Sequence, residues 1–369
     1  MKRRQLLIGS VATASLCAFR VNAENHGYGL RTLAENKGLY YGCAVASQKL
    51  ATDAIFADAV AREANILVAE GEMKRDILQP MPDRYNFTAA DYIFRSAQRS
   101  LQKVRGHTLV WHNSNPRWLM DALDANNRIA SKEKLLTGYI DTVVRRYAGR
   151  VQSWDVVNEA VDPADWRWDG MRSSSIWYKT FGEDYLSIAF QAAREADPNT
   201  PLFLNEFGIE NAVRWNETRR TAILKLLDRL LSKNVPIDGF GIQGHMKPFR
   251  DAFDEKVFSK FLDDLAGYGL KLMITEFDVA DKWGPTSTAD RDAGVAALTK
   301  SFLDVALSKA SMKGVLTWGL TDKYSWLSSD PQYKWPDGQL VRGLPLDVNF
   351  ARTPMWDEIA AAFTRVSVT

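Results

Sequence analysis

The sequence predicts a single-domain (β/α)8 TIM barrel of the α/β class, and three observations carry that expectation. Strand-like apolar runs alternate with amphipathic helical stretches through the chain, the pattern of a parallel α/β fold. Eight such strands with helices between them fill the 369 residues, with no Ser/Gly/Pro-rich linker and no sharp internal repeat. A barrel of this kind takes roughly 250 residues or more. Finally, polar or aromatic residues stand at the C-terminal end of nearly every predicted strand, where structural chance would scatter them over both rims.

The first 23 residues read as a leader and are set apart. Lys2, Arg3 and Arg4 are its positive region, Leu6 to Phe19 its short apolar run, and Val21-Asn22-Ala23 a small-residue cleavage site. The run is too short to span a bilayer. Arg3-Arg4-Gln5-Leu6-Leu7 resembles a twin-arginine export signal, with an ordinary secretory leader as the alternative. Export to the periplasm or the medium is expected. Cleavage would remove Cys17 and leave Cys43 alone, so no internal disulfide is expected in the mature chain.

Residues 24–369 are assigned to the barrel. Leu39–Ala46 is an apolar first strand in which Cys43 fits as a small core side chain. Asp53–Ala64 has apolar positions at helical spacing. The second strand, Ile66–Glu70, runs into Glu70-Gly71-Glu72-Met73-Lys74-Arg75. After the helical stretch Ala89–Lys103, the third strand, Arg105–Trp111, carries His107 and ends in Trp111-His112. Lys132–Tyr147 is the next helix. Val151–Asn158 is apolar and β-branched around Trp154, as a strand buried on both faces should be, and it delivers Asn158 and Glu159. Helix Asp184–Ala196 leads to strand Pro201–Asn205, followed by Glu206 and Phe207. Helix Asn216–Lys233 leads to strand Ile237–Gln243, followed by Gly244 and His245. Helix Asp254–Ala266 precedes Lys271–Thr275, a strand that runs into Glu276-Phe277-Asp278. Helix Thr288–Lys309, strand Gly314–Gly319 with Trp318, and helix Thr353–Phe363 close the chain.

Composition is that of a globular protein, 46% hydrophobic and 25% charged. A formal charge of +2 gives no reason to expect nucleic acid or an anionic surface as partner. Twelve Trp are more than a core needs, and flat rigid side chains suit sugar faces. No His or Cys spacing suits a metal, and no metal or cofactor is expected.

The chemistry lies in two strands, each delivering one Glu to the same rim. Val-Gln-Ser-Trp-Asp-Val-Val-Asn-Glu ends at Glu159, and Leu-Met-Ile-Thr-Glu-Phe-Asp places Glu276. Two carboxylates so placed are what two-carboxylate glycoside hydrolysis requires. The pair W-D-V-V-N-E and I-T-E-F-D resembles glycoside hydrolase family 10, the retaining endo-β-1,4-xylanases, over nearly the whole mature chain. The resemblance implies Glu159 as acid/base and Glu276 as nucleophile. His245 would hydrogen-bond Glu276 and be oriented by Asp278, and Asn158 would hold the sugar's 2-hydroxyl. It further implies Glu70, Lys74, His107 and Trp111 lining the glycone side, with Gln243 beside the acid/base and Trp318 and Trp326 as an aromatic wall. His112 is adjacent to this set. Glu206 also follows a strand, but T-E-F-D fits the nucleophile strand far better, and a subsite or loop role is expected for Glu206.

Two departures stand out. The family's E-N-E-M-K followed by an aromatic is here E-G-E-M-K followed by Arg75, so the Asn offered to the second glycone sugar is missing at Gly71. Its N-D-Y-N is here Asn205-Glu206-Phe207-Gly208, which removes a hydroxyl and an amide on the leaving-group side. Arg75 could replace the lost contact or point to solvent, and Gly71 could answer a positive φ. The expectation is a monomeric endo-β-1,4-xylanase acting on xylan or xylo-oligosaccharides, with no nucleic-acid or membrane partner. The same chemistry on another β-1,4-linked sugar and a non-catalytic glycan-binding barrel are the rivals.

Overall fold

The computed structural model describes residues 28–126, 128–165 and 167–367; the leader assigned to residues 1–23 lies outside them. Among the described residues nine strands form: β1 (Tyr40–Val45), β2 (Ile66–Ala69), β3 (Lys103–Trp111), β4 (Val151–Asn158), β5 (Leu202–Glu206), β6 (Gly239–Ile242), β7 (His245–Met246), β8 (Lys271–Val279) and β9 (Met312–Thr317). Every pairing among them is parallel. The order runs β6-β5-β4-β3-β2-β1-β9-β8, and pairing of β6 with β8 closes the ring. Eight strands thus make the barrel, and the two-residue β7 flanks β8 at the rim.

Alternation along the strands decides what fills the interior. Ala44, Ile66, Val68, Phe203, Met273 and Leu316 form one buried cluster drawn from β1, β2, β5, β8 and β9. Arg105 of β3 stands beside it, fully buried. Its guanidinium lies 4.5 Å from the Phe203 ring centroid and donates to Ser153 at 2.6 Å and to Asp155. A buried cation is tolerable only with such partners. A larger apolar layer packs the helices onto the outside of the ring. Cys43 is buried in β1, where burial pushes its thiol up and leaves it unreactive.

All eight expected barrel strands form, and the differences are at their ends. The helix expected over 89–103 stops at Arg99, because Leu101 takes φ 54° and Lys103 already pairs with Ile66 as β3 begins. The strand expected over 271–275 runs on to Val279, since His245 and Met246 pair with Asp278 and Val279. Glu276 and Asp278 therefore sit within β8, next to a register shift between Ile274 and Phe277, and both side chains reach His245. Short rim helices such as Ser47–Thr52, Arg117–Asp124 and Ile176–Phe181 were too brief to show a period in sequence.

Candidate active site

The C-terminal ends of the strands converge on a cleft of about 690 Å³. Asn158 is the last residue of β4, and Glu159 follows with φ 58°. That left-handed backbone is unfavourable for a side chain with a Cβ, and strain of this kind concentrates at functional sites. It is held on both sides: the Glu159 N–H donates to the Asn205 carbonyl at 2.9 Å, and Arg172 Nε donates to the Glu159 carbonyl at 3.0 Å. The carboxylate is fixed as well. Trp111 Nε1 donates to Oε2 at 2.9 Å and Gln243 Nε2 to Oε1 at 3.0 Å.

Glu276 faces this group from β8. His245 Nε2 lies 3.4 Å from its Oε2, while His245 Nδ1 is 2.7 Å from Asp278 Oδ1. Trp326 Nε1 caps the other Asp278 oxygen at 2.6 Å. Burial works against charge on His245, but the adjacent Asp278 and Glu276 carboxylates more than offset it and raise its pKa well above the ordinary value. That shift favours the imidazolium, whose Nδ1 is hydrogen-bonded to Asp278 and whose Nε2 is paired with Glu276. Burial likewise pushes Glu276 up, yet the His245 hydrogen bond and the charges of His107 and His245 win, and its carboxyl sits below the usual range. The arrangement holds Glu276 as an ion.

Asn205 is the residue sequence reasoning did not assign. Its Nδ2 donates both to Glu276 Oε1 at 2.8 Å and to Asn158 Oδ1 at 2.9 Å, tying the two strand ends together. Thr275 Oγ1 donates to Asn205 Oδ1 at 2.8 Å, and the Glu276 carboxylate, which only accepts, fixes which end of the amide is the donor. Gly241 makes room for it: a methyl group there would lie 2.1 Å from Asn205 Oδ1. Asp155, inside the W-D-V-V-N-E stretch, was also without a role. It holds His107 Nδ1 at 3.0 Å and takes Arg105 Nε at 3.1 Å. A buried Asp in a strand motif was the available signal.

The remaining expected residues mostly reach the cleft. His107, Trp111, Asn158, Gln243, Trp318 and Trp326 line it, as does Lys74. The Lys74 ammonium lies 4.9 Å from the Trp111 ring centroid and 5.9 Å from that of Trp318. Glu70 lies outside the lining, at the end of β2, where Lys49 Nζ pairs with it at 3.0 Å. His112 Nδ1 is 3.7 Å from Glu159 Oε2. Burial and the Arg172 charge pull its pKa down to about 4, so a neutral imidazole abuts the carboxylate.

The departures resolve differently from expectation. Arg75 does neither of the things foreseen for it. It is buried, donates to Gln79 Oε1 at 3.0 Å and the Leu135 carbonyl at 2.8 Å, and lies 4.3 Å from the Tyr139 ring centroid. Burial lowers its pKa to about 10. Gly71 does not have a positive φ, and a Cβ there would meet nothing within 4 Å. Of the subsite and loop roles expected for Glu206, the contacts fit the loop: fully buried, it accepts from the Val161 N–H at 2.9 Å and from Arg219 Nη1 at 3.2 Å. Phe207 and Gly208 line the cleft beside Trp215. Among the described residues, no group of three or more His, Cys, Asp or Glu is placed to hold a metal ion.

A closed parallel barrel with two carboxylates bridged at its C-terminal rim, one beside an imidazolium and one beside an indole, defines a glycoside-hydrolase barrel. The chain belongs to glycosyl hydrolase family 10, whose model matches residues 29–362. It is 35% identical over 303 residues to endo-1,4-beta-xylanase B of Thermotoga neapolitana, covering 81% of this chain and 82% of that protein. To endo-1,4-beta-xylanase B of Paenibacillus barcinonensis it is 34% identical over 309 residues, covering 80% and 89%. Among solved structures, native xylanase 10B of Thermotoga maritima superposes with a TM-score of 0.82 at 33% identity, over 91% of this chain and 98% of the other. Xylanase 10B of Thermotoga petrophila in complex with xylobiose gives 0.82 at 32% identity, over 91% and 97%.

Proposed function

We propose that this protein is a retaining endo-β-1,4-xylanase that cleaves internal bonds of xylan and xylo-oligosaccharides by double displacement. The observation that supports the reading is that Glu276, whose carboxyl sits below the usual range, and Glu159 line one cleft and are linked through Asn205, Asn158 and Gln243. The xylanase relatives and the xylobiose complex of a similar barrel support the substrate class. Glu276 attacks the anomeric carbon, and the glycosidic C–O bond breaks as Glu159 gives its proton to the leaving oxygen. Glu159, now a carboxylate, takes a proton from water; the resulting hydroxide equivalent attacks the anomeric carbon and Glu276 departs. His245 and Asp278 position and charge-balance Glu276. In this reading Asn158 binds the 2-hydroxyl of the sugar being cleaved, and Lys74, His107, Trp318 and Trp326 bind the glycone, with Glu70 acting from outside the lining. In early proton NMR spectra of the hydrolysate, the β-anomer is expected to appear first. A first-formed α-anomer would mean inversion and overturn the role given to Glu276.

The leader belongs to the same reading: mass spectrometry of exported protein is expected to find an N-terminus at Glu24, and an N-terminus retaining residues 1–23 would oppose it.

Gly71 weakens the second glycone subsite in this reading. Because a side chain there enters open space without strain, Gly71→Asn is expected to raise kcat/KM on oligosaccharides that fill that subsite. One net hydrogen bond is worth roughly 0.5–1.5 kcal/mol, a few-fold to about tenfold. An aryl xyloside, which stops short of the subsite, should hardly respond. An unchanged long-to-short ratio in a folded variant would show that Gly71 is not the missing contact.

A further inference from the structure

We propose that the cleft continues, on its leaving-group side, into a second groove that binds the polysaccharide chain, with Trp215 and Trp168 as platforms and a cationic rim suited to carboxylate-bearing xylan. The inference rests on the xylanase reading above and extends it beyond the residues around the two carboxylates. Among the described residues, two Trp are substantially exposed, Trp168 at 83% and Trp215 at 38%. Both line a single groove of about 830 Å³ outside the barrel mouth. Trp215 lines the active-site cleft as well and is the lining residue the two cavities share. Other exposed apolar side chains, such as Ile55, Ile129 and Leu340, are no part of this groove.

The direction follows from the order of the ring. Lys74 and Trp318 come from the ends of β2 and β9, whereas Trp215 opens the helix Arg214–Ser232 that follows β5, across the ring from them. A chain with its glycone against Lys74 and Trp318 therefore leaves the cleft past Trp215.

The Trp215 indole and the loop that carries Trp168 are held in place. The Trp215 ring centroid is 4.3 Å from the Arg219 guanidinium and 5.8 Å from the Phe207 ring, and its edge lies over Gly208, where a methyl group would come within 2.2 Å. This gives the departure to Gly208 a physical reason: any larger residue would displace the indole. Trp168 rides on a loop closed by the Val161–Met171 bridge and by the Asp162 N–H donating to the Gly170 carbonyl at 2.9 Å. Gly170, at φ +69°, seats that loop on the helix, since a methyl group there would lie 2.4 Å from Ala222 Cβ. Two indoles open to one groove offer the flat apolar area that a sugar face can cover.

Charge narrows the ligand. Arg214 and Lys225 of the same helix are exposed on the groove, and neither is in an ion pair with another described residue. Arg167 is already engaged by Asp169, and Glu217 is the groove's carboxylate. The rim is net positive, which favours a chain carrying uronic acid branches over a neutral one.

The test compares long and short substrates. Trp168→Ala is expected to lower kcat/KM on glucuronic-acid-bearing xylan about three- to tenfold, the size of one lost aromatic contact. It should leave both the melting temperature and kcat/KM on an aryl xylobioside unchanged. Arg214→Gln with Lys225→Gln is expected to cost more on that xylan than on an unsubstituted chain of equal length. A polymer-to-short ratio equal to that of the unaltered protein overturns the groove, and equal losses on both polymers overturn the charged rim. Retardation in native gels cast with the acidic xylan gives a readout independent of hydrolysis. Trp168→Ala should run faster there, and unchanged mobility counts against the groove even if the aryl xylobioside proves not to be a substrate and the xylanase reading fails.

Discussion

Glu276→Ala is expected to reduce kcat/KM on xylan by more than about 10⁴-fold, because no covalent intermediate can then form. The side chain is buried among His245, His107 and Asn205, with the Asn205 and His245 donors aimed at its two oxygens. Their effect shows in pH dependence. Burial alone would raise the Glu276 pKa; the His245 hydrogen bond and the charges of His107 and His245 bring it below the ordinary value of 4.5. Activity that needs the ionised form is thus present above that lowered value and lost as pH falls through it. The acid limb of kcat/KM should consequently lie below about pH 4.5. His245→Asn removes a donor and a positive charge while leaving the burial, so the limb should move to higher pH. A limb that stays put in the folded variant would show that His245 does not hold Glu276 ionised. Retained xylan hydrolysis in Glu276→Ala, together with an inactive Glu206→Ala, would reverse the assignment of the two carboxylates.

Glu159→Ala is expected to cost about 10²–10⁴-fold on xylan, the usual contribution of general acid–base catalysis. Its signature is dependence on the leaving group. An alkoxide sugar needs its proton, whereas an activated aryl oxide departs without one, so the first step on an aryl xylobioside should be nearly normal. The glycosyl-enzyme then persists, since no base activates water, and a burst of aryl release followed by slow turnover is expected. Azide, which needs no base, should restore turnover and yield a glycosyl azide of retained, β configuration. The space vacated lies between the donors Trp111 Nε1 and Gln243 Nε2, which suit a small anion. An α-glycosyl azide, or equal losses on aryl and sugar leaving groups, would remove Glu159 from the acid/base role.

Much of this protein was legible in its sequence. Eight apolar β-branched runs, spaced by helical periods and ended by polar residues, determine a parallel barrel with a functional rim, since each pattern is set by local geometry and by which faces are buried. Glu159 and Glu276 were legible too, because each rides on a strand whose period fixes where its end lies. What the sequence left undecided depends on contacts between distant segments. Arg75, beside the expected subsite in the chain, turns into the helical layer and meets Tyr139 and Leu135, some 60 residues on. Glu206 ends β5 much as Glu159 follows β4, yet Arg219, brought back by the following helix, pairs with it in the interior. Asn205 bridges Asn158 and Glu276 only because β4, β5, β6 and β8 close side by side with Gly241 leaving space. Sequence spacing sets which way a side chain leaves its own element; only the closed ring sets which partner stands opposite, and hydrogen bonds and pKa values follow from the partner.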